Sequence, residues 1–283
     1  MEILFITGIV LYSIAIFCHF IAIYFLIHFK SNSLCSKNQR ICLLNLCFCE
    51  LLLSVIGITG KSIYIFECES VAQWVLLWQD GFLNVWYICT MTFITFDRFL
   101  VVHYNLRYDV YWSITKTKIG LIIIAIISLQ VMLILHVIPS TIHQKFHIIF
   151  MYIWPIFDGI FLLVAIVTYI YLYRRIKQNH VYERNQLKSL RTNARRKSSV
   201  CFKKIKHGFY MPTFLILSFI FTWTIPDMIL TGRFMYEHTI DEHLHAKIAI
   251  VYPVGLIFDA FLYILLPYSD VIHKMFKRSR SKT

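Results

Sequence analysis

Long apolar stretches alternate with short polar ones along the whole chain, and the apolar stretches recur seven times. Residues 3–27, 119–138 and 208–226 contain no Asp, Glu, Lys or Arg, while 41–60, 74–96, 148–173 and 248–268 hold a single acid each: Glu50, Asp80, Asp158 and Asp259. A hydrocarbon layer about 30 Å thick is crossed by ~20 apolar residues in helical conformation. The pattern therefore predicts an all-α fold, a bundle of seven transmembrane helices in one domain covering 1–283. The expected spans are 3–28, 41–66, 74–103, 118–138, 147–174, 208–230 and 246–268. After the last of them, Val271, Ile272, Met275 and Phe276 repeat at i, i+1, i+4 and i+5, with Lys274, Lys277 and Arg278 opposite. That pattern predicts a short amphipathic helix, 269–278, lying on the inner leaflet.

Lone acids in otherwise uncharged spans are costly at membrane depth and normally face the bundle interior or a cavity. They are the first functional candidates.

Charge settles the expected orientation. Of the 28 Lys and Arg residues, all but Lys61, Lys145, Arg233 and Lys247 fall in the tail or in the loops that lie on the tail's side of the membrane. By the positive-inside rule that side is cytoplasmic, with the N-terminus outside and the C-terminus inside. The net charge of +13 is then topogenic and does not point to nucleic acid. Met1 and Glu2 run directly into the first span without a basic n-region, so that span is expected to act as its own signal anchor. Among the eight cysteines only Cys68 falls in an expected outer loop, which leaves no second outer thiol for a disulfide.

Several motifs fall on successive spans. Asp97-Arg98-Phe99 ends the third span and is followed by Leu106-Arg107-Tyr108; the second carries Asn45-Leu46-Cys47-Phe48-Cys49-Glu50-Leu51-Leu52; the seventh carries Asp259-Ala260-Phe261-Leu262-Tyr263. Together with seven spans and one long basic inner loop between spans five and six, the chain resembles a divergent rhodopsin-like (class A) G-protein-coupled receptor over essentially its whole length. The triplet is similar to that family's DRY, the second-span motif to NLxxxDLL with Glu for Asp, and the seventh-span motif to NPxxY with Asp for Asn and Ala for Pro. A short second outer loop without cysteine and an acid in span seven are closer to the melanocortin-like branch, and Asp80 matches the acid that pairs with a protonated amine in the amine-receptor branch.

The chain also departs from that family. His19 stands where the family has an Asn in span one, and the usual span-four Trp and the Cys heading span three are missing. Phe221-Thr222-Trp223-Thr224-Ile225-Pro226 has one residue more between Trp and Pro than the family's toggle motif, so Trp223 is expected to point elsewhere.

The resemblance implies an activation switch of Asp97, Arg98, Tyr169 and Tyr263, in which Arg98 is released toward a heterotrimeric G protein when span six swings outward; arrestin is a second expected partner. It also implies a plasma-membrane location. The inner end of span six offers Lys203, Lys204, Ile205 and Lys206 but no acid to restrain Arg98, and the expectation is raised basal signalling. Glu50 and Asp259 are expected to face one another in the mid-bundle with a proton or a Na⁺ between them, since two carboxylates cannot both stay ionised cheaply in a dry site. No other cofactor is implied.

On the outer side, Asp80 lies eighteen residues before Arg98, five turns of α-helix and roughly 27 Å away, on one face with Asn84 and Tyr87. Asp80, Asn84, Asp158, Asp227 and Trp223 form the candidate ligand site. Acids around the mouth, among them Glu67, Glu69, Glu237 and Glu242, favour an extracellular cationic ligand, an amine or a basic peptide. His238, Asp241 and His245 have a spacing able to hold Zn²⁺, although solvated loop histidines are the commoner case. Arg195-Arg196-Lys197-Ser198-Ser199 reads as a basophilic-kinase site in which phosphate on Ser198 or Ser199 lowers local positive charge.

Two other classes use the same pattern. A transporter or channel would employ the buried carboxylates as a proton or cation relay, but no inverted repeat is visible. A retinal photoreceptor needs a lysine deep in span seven, and only Lys247 at its outer end is present. No nucleophile constellation, phosphate loop or zinc-hydrolase motif supports an enzyme.

Overall fold

The computed structural model describes residues 2–28, 37–65, 77–104, 108–137, 158–175, 213–237 and 250–280, with 75, 156, 177–178 and 247–248 besides. Apart from short connecting residues, these are all helical. In chain order they are α1 (Glu2–His28), α2 (Lys37–Ile65) and α3, which starts as a π-helix at Leu77–Asn84 and continues as Val85–Tyr104. A short α4 (Tyr108–Tyr111) and a long α5 (Ile114–Val137) follow. Then come α6 (158–175), α7 (213–237) with a π-helical stretch at Ile220–Thr224, and α8 (Val251–Arg280).

Among the described residues five helices are long and apolar enough to cross a membrane, and Val251–Leu265 forms a shorter apolar helix. The outward faces agree. Along α1, Ile3, Ile6, Val10, Ile14, Phe17, Phe20, Tyr24 and Ile27 are exposed at intervals of three and four, an apolar stripe on the outside of the molecule. The interior instead holds His19, Glu50, Asp97, Arg98, Asp158 and Asp259, all buried. An apolar outside around a polar inside is an arrangement made for lipid, because lipid cannot hydrate exposed polar groups. The hydroxyls of Ser13, Thr59 and Thr92 lie on the outer surface, and each donates to the carbonyl four residues earlier in its own helix, so that these three donors are satisfied without water.

Helix α1 packs chiefly against α2 and α8; α2 also meets α3 and α5, and α7 meets α8. Aromatic pairs fix α6 between α3 and α7: Phe99 lies 5.5 Å from Tyr171 and Phe161 lies 5.4 Å from Phe219, centroid to centroid. Small residues allow two of these approaches. At Gly57 a Cβ would fall 2.5 Å from the Tyr12 ring of α1, and at Gly255 a Cβ would fall 2.5 Å from the Thr222 side chain of α7. At the end of the bundle that the charge pattern assigns to the cytoplasm, called inner below, Arg40 donates to the carbonyls of Leu26 and Ile27, so a base closes the C-terminus of α1 where the helix dipole is negative.

Two features differ from the sequence expectation. The last helix does not stop near 268: α8 is helical through Arg280 without a break, so the segment 269–278 continues it and is not a separate helix. After Pro267 the chain contains neither glycine nor a second proline, and nothing there terminates a helix. In α7 the extra residue of the Phe221–Pro226 motif is absorbed by the π-helical turn, whose wider ring takes in one more residue per turn. That turn keeps Trp223 in the core, 8% exposed, where α-helical phasing suggested it would be turned away.

Candidate functional site

The polar interior falls into three levels, each built from side chains on different helices. At the inner end, Asp97 and Arg98 are both buried and form an ion pair within α3. Arg98 Nη1 also donates to Gln39 Oε1 on α2 at 2.9 Å. The other Asp97 oxygen accepts from the Tyr108 hydroxyl of α4, and that hydroxyl in turn accepts from Asn38 Nδ2 at 2.8 Å. Asn38 Nδ2 also donates to the Trp112 carbonyl at 3.2 Å. Burial, and then the neighbouring Asp97 carboxylate, push the Tyr108 hydroxyl well above its ordinary pKa, so it serves as a neutral donor. Tyr169 of α6 lies within electrostatic reach of the Arg98 guanidinium. Arg98 is thus held by α2 and α3, a restraint that needs no acid on span six.

In the middle, Glu50 is fully buried and engaged on both oxygens. His19 Nε2 lies 2.8 Å from Oε2, and the Tyr263 hydroxyl donates to Oε1 at 2.5 Å. One carboxylate therefore joins α1, α2 and α8. Asn45, from the same second-span motif, donates to Thr90 Oγ1 of α3 at 3.0 Å. Asp259 is also fully buried and close enough to Glu50 for the two to interact. The hydroxyls of Tyr87 and Ser218 flank it and are the donors that face its carboxylate.

Above this level, Asp158 of α6 is 3% exposed and within electrostatic reach of Asp227 on α7. Asp227 Oδ1 accepts from the Tyr252 hydroxyl of α8 at 2.6 Å. Trp223 forms an aromatic floor, its ring centroid 4.9 Å from Tyr252 and 5.8 Å from Tyr87. Tyr87 feels the charges of Asp158, Asp259 and Glu50 together, so it joins the upper acids to the middle ones.

The structure therefore brings Asp158, Asp227 and Trp223 into one neighbourhood, places Glu50 beside Asp259, and sets Asp97, Arg98 and Tyr169 at the inner end. Tyr263 belongs to the middle level, on Glu50. Asn84 is partly buried in the π-helical start of α3. Because that start is not α-helical, the five-turn alignment of Asp80 with Arg98 does not extend to it; the Asp80 side chain lies outside the described residues, as do His238, Asp241, His245, Ser198 and Ser199. A groove of about 550 Å³ runs along the inner half of α6, lined by Ile166, Tyr169, Ile170, Tyr173, Arg174 and Lys177, and none of the acids lines it.

Sequence reading missed Gln39, Asn38 and His19 as partners. Only His19 carried a signal, as a titratable residue in an otherwise uncharged span. Scanned against protein-family models the chain matches none, and no curated protein matches it.

Proposed function

We propose that this chain is a seven-span signalling receptor of the plasma membrane, with its N-terminus outside and its C-terminus in the cytoplasm. It binds an extracellular cationic ligand, an amine or a basic peptide, and activates a heterotrimeric G protein, with arrestin as a second partner. The observation that carries this reading is the inner-end network in which Asp97, Gln39, Tyr108 and Asn38 hold Arg98 between α2, α3 and α4. A buried arginine held by hydrogen bonds between neighbouring helices is a two-state element: it stays with these partners or leaves them for another. A cation entering among Asp158, Asp227 and the Trp223–Tyr252 rings would pull α6, α7 and α8 together, and α8 also carries Tyr263 on Glu50. That contiguity supplies a physical route from the outer acids to the middle of the bundle.

The test is expression in cells with cAMP, calcium and arrestin readouts against a panel of amines and basic peptides. Loss of the response in Asp158→Asn and Asp227→Asn, with surface level unchanged, is the expected result. An unchanged response in both removes these acids from the ligand site.

One observation favours a second reading, a transporter or channel that uses the acids as a relay. Tyr87 lies within electrostatic reach of Asp158, Asp259 and Glu50, so the upper and middle acids share one polar interior. Proton or cation flux into vesicles holding the purified chain, abolished by Asp259→Asn, would favour that class.

A further inference from the structure

Glu50 is surrounded by donors. His19 Nδ1 lies 2.7 Å from the Ala15 carbonyl, which can only accept, so that nitrogen carries a hydrogen. The other contact, Nε2 to Glu50 Oε2 at 2.8 Å, then requires one more proton, since without it two lone pairs would face each other at hydrogen-bond distance. Glu50 Oε1 takes the Tyr263 hydroxyl, and the His19 and Tyr263 rings meet edge to face at 6.5 Å. The groups that face this centre are Cys47 and Cys49 of α2, Tyr87 of α3, Ser218 of α7, and Asp259 and Tyr263 of α8. Among the described residues the buried bases are His19 and Arg98, and Arg98 is committed to Asp97 and Gln39 at the inner end.

We propose that His19, with the proton it shares with Glu50, occupies the place that the resemblance gives to a sodium ion. The group that offsets the Glu50 carboxylate is then part of the fold. The His19 ring takes Oε2 and the Tyr263 hydroxyl takes Oε1, so a sodium ion arriving beside Glu50 finds both oxygens already engaged. A centre filled in this way is indifferent to sodium. The inference deepens the mid-bundle part of the receptor reading and rests on the bundle geometry, without needing a G protein.

The experiment follows thermal unfolding of the full chain in detergent, in sodium chloride and in N-methyl-D-glucamine chloride at equal ionic strength and neutral pH. For the wild type the two curves coincide. His19→Asn removes the shared proton and opens Glu50, so its midpoint rises in sodium, and His19→Lys, which restores a proton-bearing partner, makes the curves coincide again. Sodium stabilisation of the wild type that Glu50→Gln removes would overturn the proposal, and so would a His19→Asn variant as indifferent to sodium as the wild type. If His19→Asn does not fold, His19→Lys decides: a folded, sodium-indifferent protein supports the resident partner of Glu50, and failure of both variants to fold contradicts it. Because the readout is unfolding and not signalling, a negative result leaves the receptor reading standing.

Discussion

The inner end of α3 and the middle of the bundle both hold buried charge; the inner end pairs its acid with a base, while the middle holds two acids that are treated unequally. At the inner end, Asp97 and Arg98 are neighbours, and Gln39 and Tyr108 complete their hydrogen bonds from two other elements. In the middle, Glu50 has His19 and Tyr263 on its two oxygens, while Asp259, equally buried, is flanked by the neutral hydroxyls of Ser218 and Tyr87 and by the acid Glu50. A satisfied ion pair in a low-dielectric interior acts as a fastening, because removing one partner strands the other. A buried carboxylate among neutral hydroxyls and a second acid acts as a demand for a proton, and it weakens the fold it sits in. The comparison separates residues that hold the bundle in one arrangement from residues kept at some cost in stability.

The sharpest way to break this contrast is to remove an acid from each class. Glu50→Ala strands His19 and Tyr263 together and is expected to cost about 3–5 kcal/mol, enough to lose most folded protein. Fluorescence-detected size exclusion of the solubilised chain measures that loss. Asp259→Asn goes the other way: without an uncompensated carboxylate, the protein should melt at or above the wild-type temperature. A loss as large as that of Glu50→Ala would show that Asp259 is also a fastening.

Smaller effects sharpen the inner end. Tyr108→Phe deletes the donor to Asp97 and the acceptor of Asn38, about 1–2 kcal/mol of restraint, and basal signalling should rise about tenfold. Gln39→Ala removes one neutral acceptor from Arg98 and should raise it by about fivefold, read in the same cAMP or nucleotide-exchange assay. The ordering matters more than the sizes, since it follows from the number of bonds each change removes.

The membrane-embedded character was legible in the sequence because it rests on composition over ~20 residues, which no tertiary contact can reverse. The acids Glu50, Asp158 and Asp259 were legible for the same reason, as single charges in uncharged runs. The Asp97–Arg98 pair was legible because its members are adjacent. What stayed hidden is long-range or geometric. Gln39 meets Arg98 across 59 residues and Asn38 meets Tyr108 across 70, and no local pattern encodes such pairs. The two π-helical stretches shift the phase of α3 and α7, so face arguments that assume 3.6 residues per turn hold from Val85 inward and lapse toward Asp80. The lack of an acid on span six led to an expectation of high basal signalling; Gln39 and Tyr108 are partners of Arg98 and Asp97 that this expectation left out.

Nucleotide exchange tests the central idea most directly: purified chain in lipid vesicles, assayed with each class of heterotrimeric G protein, for the wild type, Tyr108→Phe and Arg98→Ala. The account predicts exchange above that of empty vesicles with at least one class, higher in Tyr108→Phe and lost in Arg98→Ala. Exchange equal to that of empty vesicles with every class, for the wild type and Tyr108→Phe alike, would contradict it.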